Sequence, residues 1–391
     1  MASKLQDLIN RLCPNGVEYR KLGEVCSYAT ERIDSSSVSS HTYVGVESLL
    51  QDRCGRVDSV SVPSEGRVIA FKPGDVLVGN IRPYLKKIWL SDIDGGTNGD
   101  VLVFQIHDRG KLLPRFLYQV LASDSFFAFD MQYAKGSKMP RGDKEAVLKY
   151  EIPVPPLEVQ SEIVQILDNF AELTAELTAE LEKRKKQYEH YRRELMATRE
   201  MCFNFSEHCK ILRGEYITKK ESRPGNVPVI LGGQEPAYYI DRANHTGKAI
   251  VISRSGASAG FVSYWDEPIF ATDGFIIETD SQLEIRYLYH WLKDRQSELN
   301  QMKKGGGVPH ITGANLASLK PPLPPLAEQR RIVSILDRFD RLCNDLTSGL
   351  PAEIAARKKQ YAYYRDKLLA FPRASCNGLV GCTARSSPRN D

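Results

Sequence analysis

One stretch of this 391-residue chain occurs twice, and this repeat limits what the chain can fold into. Residues 155–170 read PPLEVQSEIVQILDNF and residues 324–339 read PPLAEQRRIVSILDRF, which are identical at 10 of 16 positions. Each copy leads to a second matching block, RKKQYEHYRREL at 184–195 and RKKQYAYYRDKL at 357–368. A repeat of this length indicates one structural unit duplicated within the chain.

Both copies carry the pattern of a long helix. A double proline precedes each copy, and apolar residues then recur at steps of three or four, which forms a narrow apolar seam. Gly349 and Pro351 predict a break or kink in the second copy. The seam residues that we expect to contact a partner helix or partner protein are Leu173, Leu177, Leu181, Tyr188, Tyr191, Leu346, Tyr361 and Tyr364.

Two long helices with matching seams most simply pack against each other as an antiparallel coiled coil within the chain. A narrow seam alone cannot stabilise a long helix, so each helix needs a partner. Pairing with another molecule, or packing of each helix on its own domain, are the alternatives. Duplication within one chain favours the internal pair.

Composition places the chain among folded globular proteins, with 42% hydrophobic and 26% charged residues. No apolar run reaches the roughly 18 residues of a membrane span, and the N-terminus lacks the apolar core of a signal peptide, so we expect a cytoplasmic location. Cys202, His208 and Cys209 lie close in sequence but lack the further ligands of a zinc site. The net charge of only +4 excludes a chain that is polybasic throughout.

Each helix is preceded by a divergent segment, and we call these two segments the first head and the second head. In the first head, Val57 to Val62 and Asp75 to Gly79 predict strands, and Pro114 to Phe129 predicts helix, so we expect an α+β fold. The predicted parts are an N-terminal segment 1–16, the first head 17–154, a spacer helix 155–200, the second head 201–323, a second spacer helix 324–372 and a disordered tail 373–391.

The second head follows the order of the first more faintly. The hydrophobic pattern of GDVLVGNIR at 74–82 recurs in GKAIVISRS at 247–255, and QYAKGSKMP at 132–140 aligns with QMKKGGGVP at 301–309. A tyrosine-rich helix is predicted near Ile285 to Leu299. Closely matched helices between divergent heads predict one scaffold that carries two different binding domains.

The sequence contains none of the common catalytic or cofactor motifs. It lacks a G-x-x-x-x-G-K-[ST] phosphate loop, a G-x-G-x-x-G after a strand, an H-E-x-x-H and a G-x-S-x-G. The glycines that follow Lys304 come after a helix instead of opening one, so they resemble a phosphate cradle only in composition. Binding is therefore favoured over catalysis.

Basic loops recur at corresponding places in both heads, which favours contact with nucleic acid. Lys and Arg on loops neutralise phosphates, and Arg or Gln can pair with base edges. Single surface cations are usually just solvated, so the recurrence carries this prediction. The candidate DNA-binding residues are Arg82, Tyr84, Lys86, Lys87, Lys135, Ser137, Lys138 and Arg141 in the first head, and Gly233, Gln234, Arg254, Ser255, Lys303, Lys304 and His310 in the second.

The layout and the motif P-P-L-x-x-Q-x-x-I-V-x-x-L-D resemble the specificity subunit of type I restriction–modification systems over about residues 5–372. The AELTAELTAEL run at 171–181 and the RKKQYxxYRxxL blocks resemble the subgroup with TAEL-type repeats in its central helix. The resemblance implies two target recognition domains, each reading half of a split double-stranded DNA sequence. It also implies a coiled-coil spacer and a pseudo-two-fold relation between the heads.

The resemblance assigns the chemistry to other subunits. It implies that two DNA-methyltransferase subunits, which bind S-adenosylmethionine, dock on the helices, and that restriction subunits using ATP and Mg complete the complex. This chain itself would hold no cofactor, no metal and no catalytic residue. Two other classes stay open from the residues alone: a coiled-coil adapter without DNA contact, and a self-sufficient DNA methyltransferase or nuclease.

Overall fold

A computed structural model describes residues 2–197, 202–220, 222–233, 235–304 and 308–374 of the chain. The tail after residue 374, which the sequence predicts to be disordered, lies outside the described residues. Contacts divide the chain into two compact units. The first unit is Met1–Ala175 with Ala355–Asp391, and the second unit is Glu176–Ile354.

Helices include both predicted spacer helices. None of the helices in the described residues combines the length and hydrophobicity that a membrane span requires. The helices are α1 (Ala2–Leu12), α2 (Leu22–Val25), α3 (Pro114–Leu121), α4 (Asp124–Tyr133), α5 (Lys144–Val147), α6 (Leu157–Met196), α7 (Phe205–His208), α8 (Ile285–Asp294), α9 (Gln296–Gln301), α10 (Gly313–Ala317), α11 (Leu326–Asn344) and α12 (Leu350–Leu369).

Strands are confined to the two heads, and most are short. Those of the first head are β1 (Tyr19–Lys21), β2 (Cys26–Tyr28), β3 (Arg32–Asp34), β4 (Arg67–Phe71), β5 (Val76–Gly79), β6 (Ile88–Leu90), β7 (Gly95–Thr97), β8 (Val101–Ile106) and β9 (Glu151–Pro153). Those of the second head are β10 (Cys209–Arg213), β11 (Val227–Ile230), β12 (Tyr238–Ile240), β13 (Lys248–Ser253), β14 (Val262–Asp266), β15 (Phe270–Ala271) and β16 (Gly274–Thr279).

The first head is built on a four-stranded antiparallel sheet in the order β2-β8-β5-β6. Strand β5 is buried on both faces. Because side chains alternate along a strand, Val76 and Val78 pack with α3, whereas Leu77 packs with Phe71 of β4. That strand belongs to a second, three-stranded antiparallel sheet in the order β3-β4-β7.

The predicted strand from Val57 to Val62 is wrong. Residues 57–62 form no strand, and Val60 is fully exposed. Val60 and Val62 alternate, but Val57 falls on the opposite face, so the segment has no continuous apolar face to bury in a sheet. Hydrogen bonds to residues 40–48 hold the segment instead. The backbone N–H groups of Val57 and Ser59 donate to the carbonyls of Ser48 and Ser40, and the buried Ser59 hydroxyl donates to the Tyr43 carbonyl.

The second head repeats the four-stranded sheet and changes the smaller one. Strands β10-β16-β13-β14 form an antiparallel sheet in which Ile250 and Ile252 pack with α8, while Val251 faces Ile230 of β11. The smaller sheet has the order β12-β11-β15, and its β11–β15 pairing is parallel. The α+β class and the internal repeat are therefore confirmed, and the heads differ mainly in the smaller sheet.

The spacer helices pack within each unit through one repeated aromatic contact. In the first unit, Phe170 of α6 stacks on Tyr364 of α12 with ring centroids 5.4 Å apart. In the second unit, Phe339 of α11 stacks on Tyr191 of α6 at 5.5 Å. These are the same positions of the repeat with the copies exchanged. The early part of α6 thus pairs with α12 and its late part with α11, which is the order that antiparallel pairing gives.

The predicted break in the second copy lies between α11 and α12. Hydrogen bonds from the hydroxyl groups of Ser348 and Thr347 to the Asp345 carboxylate stabilise this turn and lower the pKa of Asp345. A Cβ on Gly349 would collide with the Arg341 carbonyl oxygen. Leu346 consequently lies outside both helices and is 70% exposed, so it does not belong to the helical seam expected from sequence.

The glutamine of each P-P-L-x-x-Q motif joins the spacer helix to a helix of the head. Gln160 is fully buried, accepts a hydrogen bond from the Leu113 N–H at 2.9 Å and donates to the carbonyls of Lys111 and Pro155. Leu113 directly precedes α3, so the side chain satisfies a backbone donor at its start.

Gln329 makes the same set of contacts in the second unit. It accepts a hydrogen bond from the Glu284 N–H at 2.8 Å, next to the start of α8, and donates to the carbonyls of Gln282 and Pro324. Gln329 is also fully buried. The repeated glutamine therefore has a structural role in both units.

Further polar contacts between spacer and head recur with changed residues. Arg115 of α3 pairs with Asp168 at 2.9 Å, and Arg286 of α8 pairs with Asp337 at 2.6 Å. At another repeated position, Tyr361 donates to Gln119 at 2.7 Å. In the second unit, the equivalent contact joins the Tyr188 hydroxyl to His290 Nδ1 at 3.4 Å, and His290 Nε2 lies 2.7 Å from Asp337.

Replacing Gln160 or Gln329 by Glu should destabilise the corresponding unit. A carboxylate cannot donate to the two backbone carbonyls, and it would be buried as a charge, so we expect a loss of about 2 to 4 kcal/mol in the free energy of unfolding. Hydrogen exchange should accelerate in α3 for Gln160→Glu and in α8 for Gln329→Glu. Gln6→Glu, on the exposed side of α1, is the matched control, and an equally small effect at all three positions would contradict the assignment.

Candidate nucleic-acid interface

In the first head, two predicted basic loops lie side by side where β5 ends. Ile81 forms a backbone bridge with Arg141, and the Arg82 N–H donates to the Pro140 carbonyl at 2.7 Å. We call residues 80–87 and 135–142 together the first loop pair. Sequence reasoning placed both loops in one head, but only the fold brings them into contact.

The second head brings the equivalent segments together where β13 ends. Ser255 bridges to His310, and the Gly256 N–H donates to the Pro309 carbonyl at 3.0 Å. Residues 253–256 with 303, 304 and 308–310 form the second loop pair. The intervening residues 305–307 lie outside the described residues.

The glycine loops close in the same way in both heads. Lys135 and Arg141 exchange two backbone hydrogen bonds of 2.8 and 2.9 Å. Lys304 and His310, each 169 positions later, exchange two of 3.0 Å. The two glycine loops that align in sequence thus close with the same pair of backbone hydrogen bonds.

The turn that follows β5 contains strained backbone. Arg82 has φ +52° and Lys86 has φ +51°, in the left-handed region that side chains other than glycine rarely adopt. The position equivalent to Arg82 in the second head is Gly256, with φ +77°. Left-handed backbone at a residue other than glycine costs about 1 kcal/mol or more and tends to occur at functional sites. A glycine at position 82 would avoid this cost, so the arginine lowers the stability of the turn.

Several predicted cations lie on the surface in weak ion pairs. Lys135 lies 2.6 Å from Asp143 and Arg141 lies 3.1 Å from Asp100, and both cationic side chains are more than half exposed. Exposed pairs contribute little to stability because water and salt screen them, so they can be exchanged for phosphate. Lys138 is exposed and has no polar partner among the described residues.

The second loop pair has a similar exposed set. Arg254 Nε lies 2.7 Å from Asp273, and the Ser255 hydroxyl donates to the same carboxylate. Lys304 and His310 are exposed, whereas the Lys303 ammonium donates to the Ala257 carbonyl at 3.0 Å. The ammonium of Lys303 is therefore partly committed to holding the loop.

Two predicted cations of the first head are turned toward protein acceptors. Lys86 lies 2.7 Å from Asp124. Burial alone would raise the pKa of Asp124, but the hydrogen bonds from Lys86 and Arg53 outweigh burial and lower this pKa to about 2. Lys87 donates to the Val46 carbonyl at 2.6 Å, and burial lowers its pKa. Both ammonium groups stabilise the turn instead of facing solvent.

The remaining candidates differ in exposure. Tyr84 is about half exposed on the turn after Arg82, and Ser137 is exposed on the glycine loop. Gly233 is exposed shortly after β11. Gln234 lies outside the described residues.

A buried polar pair beneath the first loop pair escaped the sequence reasoning. Asn80 is 4% exposed and Asp130 is fully buried, and the Asn80 carbonyl oxygen and both Asp130 oxygens have no hydrogen-bond partner among the described residues. Both side chains pack on Gly142, since a Cβ there would collide with Asp130 and lie 2.8 Å from Asn80. The signal in the sequence was the acidic Asp130 among the aromatic residues of α4. The equivalent position of the second head, 169 residues later, is the buried Leu299.

Comparison with known proteins agrees with this architecture of two heads and long spacer helices. The family described as "Type I restriction modification DNA specificity domain" matches residues 14–184 and 201–356, which is more than half of the chain. The chain belongs to this family. As a specificity subunit of a type I restriction–modification system, it is the non-catalytic kind of chain that its lack of catalytic motifs predicted.

Two relatives have the same percentage of sequence identity to this specificity subunit. The EcoR124I/EcoR124II specificity subunit of Escherichia coli is 35% identical over 257 residues, which span 58% of this chain and 64% of the relative. The Haemophilus influenzae protein S.HindORF215P, named as a specificity subunit, is 35% identical over 296 residues, which span 69% of this chain and 75% of the relative. The chain thus spans about two thirds to three quarters of these relatives.

Solved structures share the fold of this specificity subunit at low sequence identity. The type I system S subunit from M. genitalium superposes with a TM-score of 0.60 at 17% identity, covering 90% of this chain and 96% of that chain. A chain from a study of complex assembly and conformational transition of the type I system also has a TM-score of 0.60, at 22% identity, covering 91% of this chain and 98% of its own. Both similarities support the fold alone.

Neutralising Asp130 should change how stability depends on pH. Burial raises the pKa of Asp130 to about 6, so the folded chain holds this proton more tightly than the unfolded chain does. The stability gained from the bound proton is complete below about pH 4 and is lost as pH rises through 6, a difference of roughly 3 kcal/mol. Asp130→Asn removes this dependence, so its free energy of unfolding should rise relative to the wild type between pH 4 and pH 7.

Urea unfolding at a series of pH values measures this difference. Asp108→Asn, at an exposed carboxylate of the same head, is the matched control and should leave the pH dependence unchanged. A constant gap between Asp130→Asn and the wild type across this range would show that the buried carboxyl titrates normally.

Proposed function

We propose that this specificity subunit reads a bipartite double-stranded DNA sequence, each head contacting one half-site through its loop pair. The observation that carries the proposal is the recurrence of one construction: a cationic turn after the central strand, held beside a closed glycine loop, in both heads. Two unrelated binding sites would not be expected to share these backbone bonds at the repeat spacing. The divergence of the smaller sheets supports different half-sites for the two heads.

Within each loop pair, we assign the exposed cations to phosphate contact and the turn residues to base contact. In the first head, Lys135, Lys138 and Arg141 would position the DNA backbone, while Arg82, Tyr84 and Ser137 would reach base edges. Lys86 and Lys87 would keep the turn in place, because their ammonium groups already meet protein acceptors.

In the second head, the same division assigns His310 and Lys304 to the backbone and Arg254 with Ser255 to base edges. Lys303 would hold the loop. Gly233 and Gln234, on the segment after β11, remain candidates for base contact beside the second loop pair.

The spacer helices would dock two DNA-methyltransferase subunits, whose S-adenosylmethionine supplies the methyl group. A groove of about 980 Å³ between α1, α6 and α12 supports docking in the first unit, where Ile166, Phe170 and Leu173 present apolar surface beside Tyr364. Such a groove suits the apolar face of a partner helix. The remaining seam residues, Leu177, Leu181, Tyr188, Tyr191 and Tyr361, would form the core of the spacer, with Leu346 exposed for partner contact. Restriction subunits using ATP and Mg would complete the complex.

Copurification with the methyltransferase encoded beside this chain, followed by long-read mapping of methylated bases, tests the whole proposal. A bipartite methylated motif that depends on this chain is the expected result. Unchanged methylation in its absence, without a methyltransferase partner, would favour a coiled-coil adapter. Binding of S-adenosylmethionine by the isolated chain would favour a self-sufficient methyltransferase.

Removing two exposed cations of the first loop pair should weaken DNA binding and its salt dependence. For Lys138→Ala with Arg141→Ala, we expect roughly tenfold weaker binding and a slope of log K against log salt reduced by about 2, because two phosphate contacts are lost. The matched control removes Lys72 and Lys111, exposed cations of the same head outside the loop pair. Equal effects of the two double variants on the salt slope would argue against the assigned interface.

Changing the number of TAEL units should change the spacer of the target and leave its half-sites intact. Residues 171–181 lie inside the uninterrupted helix α6, and we propose that the chain belongs to the subgroup with such repeats. One unit adds ~6 Å and ~40° of helix, which corresponds to about one or two base pairs at ~3.4 Å each. Glu176→Gln with Glu180→Gln keeps the length and should keep the spacer. Methylation mapping that finds the same spacer after deletion of a unit would rule out this role.

A further inference from the structure

An exposed apolar residue occupies the same position of the glycine loop in both heads. Met139 is 52% exposed and Val308, 169 positions later, is 62% exposed. Neither Met139 nor Val308 is among the DNA-binding candidates predicted from the sequence. Two apolar side chains are thus exposed at the same position of two cationic loops, where they are available for contact with a ligand.

The backbone next to these residues is hydrogen-bonded to the neighbouring turn in both heads. The carbonyl of Pro140, directly after Met139, accepts the Arg82 N–H at 2.7 Å, and the carbonyl of Pro309, directly after Val308, accepts the Gly256 N–H at 3.0 Å. The reciprocal bonds between Lys135 and Arg141 close the loop just beyond. Each apolar residue is therefore next to a proline whose carbonyl is hydrogen-bonded to the neighbouring turn, and such preorganisation lowers the entropy cost of binding.

The surroundings of Met139 identify the class of ligand surface. Lys138 precedes it, Arg141 follows two positions later, and both are exposed. Because the cations suit DNA phosphates, the apolar group between them would lie over the groove. The apolar feature that a DNA groove offers is the C5-methyl group of thymine, on the major-groove edge. A wedge between base pairs is the other use of an apolar side chain, but the short valine at 308 is poorly suited to unstacking a base step.

We propose that Met139 and Val308 are specificity-determining residues, each making an apolar contact with the C5-methyl group of a thymine in its half-site. The inference rests on the proposed function and deepens it. The two heads share the chemistry but differ in reach, because methionine is long and flexible whereas valine is short and branched. The thymines contacted therefore stand at different depths or positions relative to the cations of each loop pair.

Thymine-to-uracil scanning tests the proposal, since it removes one methyl group at a time from the DNA. The full chain in complex with its methyltransferase subunits is titrated with duplexes carrying the mapped target, each with one deoxyuridine. Loss of one buried methyl contact corresponds to about fourfold weaker binding. For the wild type, we expect this loss at one thymine of each half-site.

Variants at the two apolar positions then assign the contacts. Met139→Ala should lose the discrimination between thymine and uracil at one position of one half-site and keep it in the other half-site. Val308→Ala should show the reverse pattern. Met139→Leu keeps an apolar side chain of similar size and should keep the discrimination. Val60→Ala, at a fully exposed valine of the first head outside the loop pair, is the matched control and should bind like the wild type.

Other outcomes separate failure of this inference from failure of the proposed function. If Met139→Ala weakens binding equally on every duplex, thymine or uracil, the residue acts as a wedge or support and the methyl contact is wrong. If no thymine is sensitive, or the half-sites contain none, the inference also fails while DNA recognition stands. If the wild-type complex binds the mapped target no better than a scrambled duplex, the proposed function itself is overturned.

Discussion

The fold depends on how a long helix with a narrow apolar seam is anchored to a globular head. An isolated helix of this kind is only marginally stable in water, because its seam buries too little apolar surface. The buried glutamines Gln160 and Gln329 solve this, because each side chain joins two backbone groups of the head to the carbonyl of the first proline of its own motif. The same hydrogen bonds pair backbone groups of a loop and of a helix start, which would otherwise be buried without partners. The glutamine is therefore part of the helix motif for a physical reason.

Duplication let one set of contacts serve two units while the polar details changed. Both units use an aromatic stack between spacer helices and an Arg–Asp pair between spacer and head. In the second unit, His290 replaces Gln119 and is fully buried, and burial lowers the pKa of His290 despite its hydrogen bond to Asp337. A neutral imidazole can accept from Tyr188 and donate to Asp337, so it joins two contacts that are separate in the first unit.

The two loop pairs show how a rigid scaffold can carry variable binding surfaces. Their backbone bonds are the same, so these bonds position both loops, and the side chains of Lys86, Lys87 and Lys303 add further support. Side chains at the surface positions can then differ, as Met139 and Val308 do. The strained turn at Arg82 and the unpaired Asp130 both lie in the first loop pair or beneath it. Stability is thus given up where binding is proposed, which is common at functional sites.

The amino-acid sequence predicts the repeat, the spacer helices with their break at Gly349, the α+β class and the correspondence of the glycine loops. These follow from periodicity and turn residues, which act over a few neighbouring positions. Which side chains contact each other depends on the three-dimensional fold. Lys86 and Lys87 appear equivalent to Lys138 in sequence. In the fold, however, Lys86 pairs with Asp124 and Lys87 donates a hydrogen bond to the Val46 carbonyl, and both partners are distant along the chain. Local patterns report whether a residue is polar or apolar, whereas the partner of a polar group depends on segments that folding brings together.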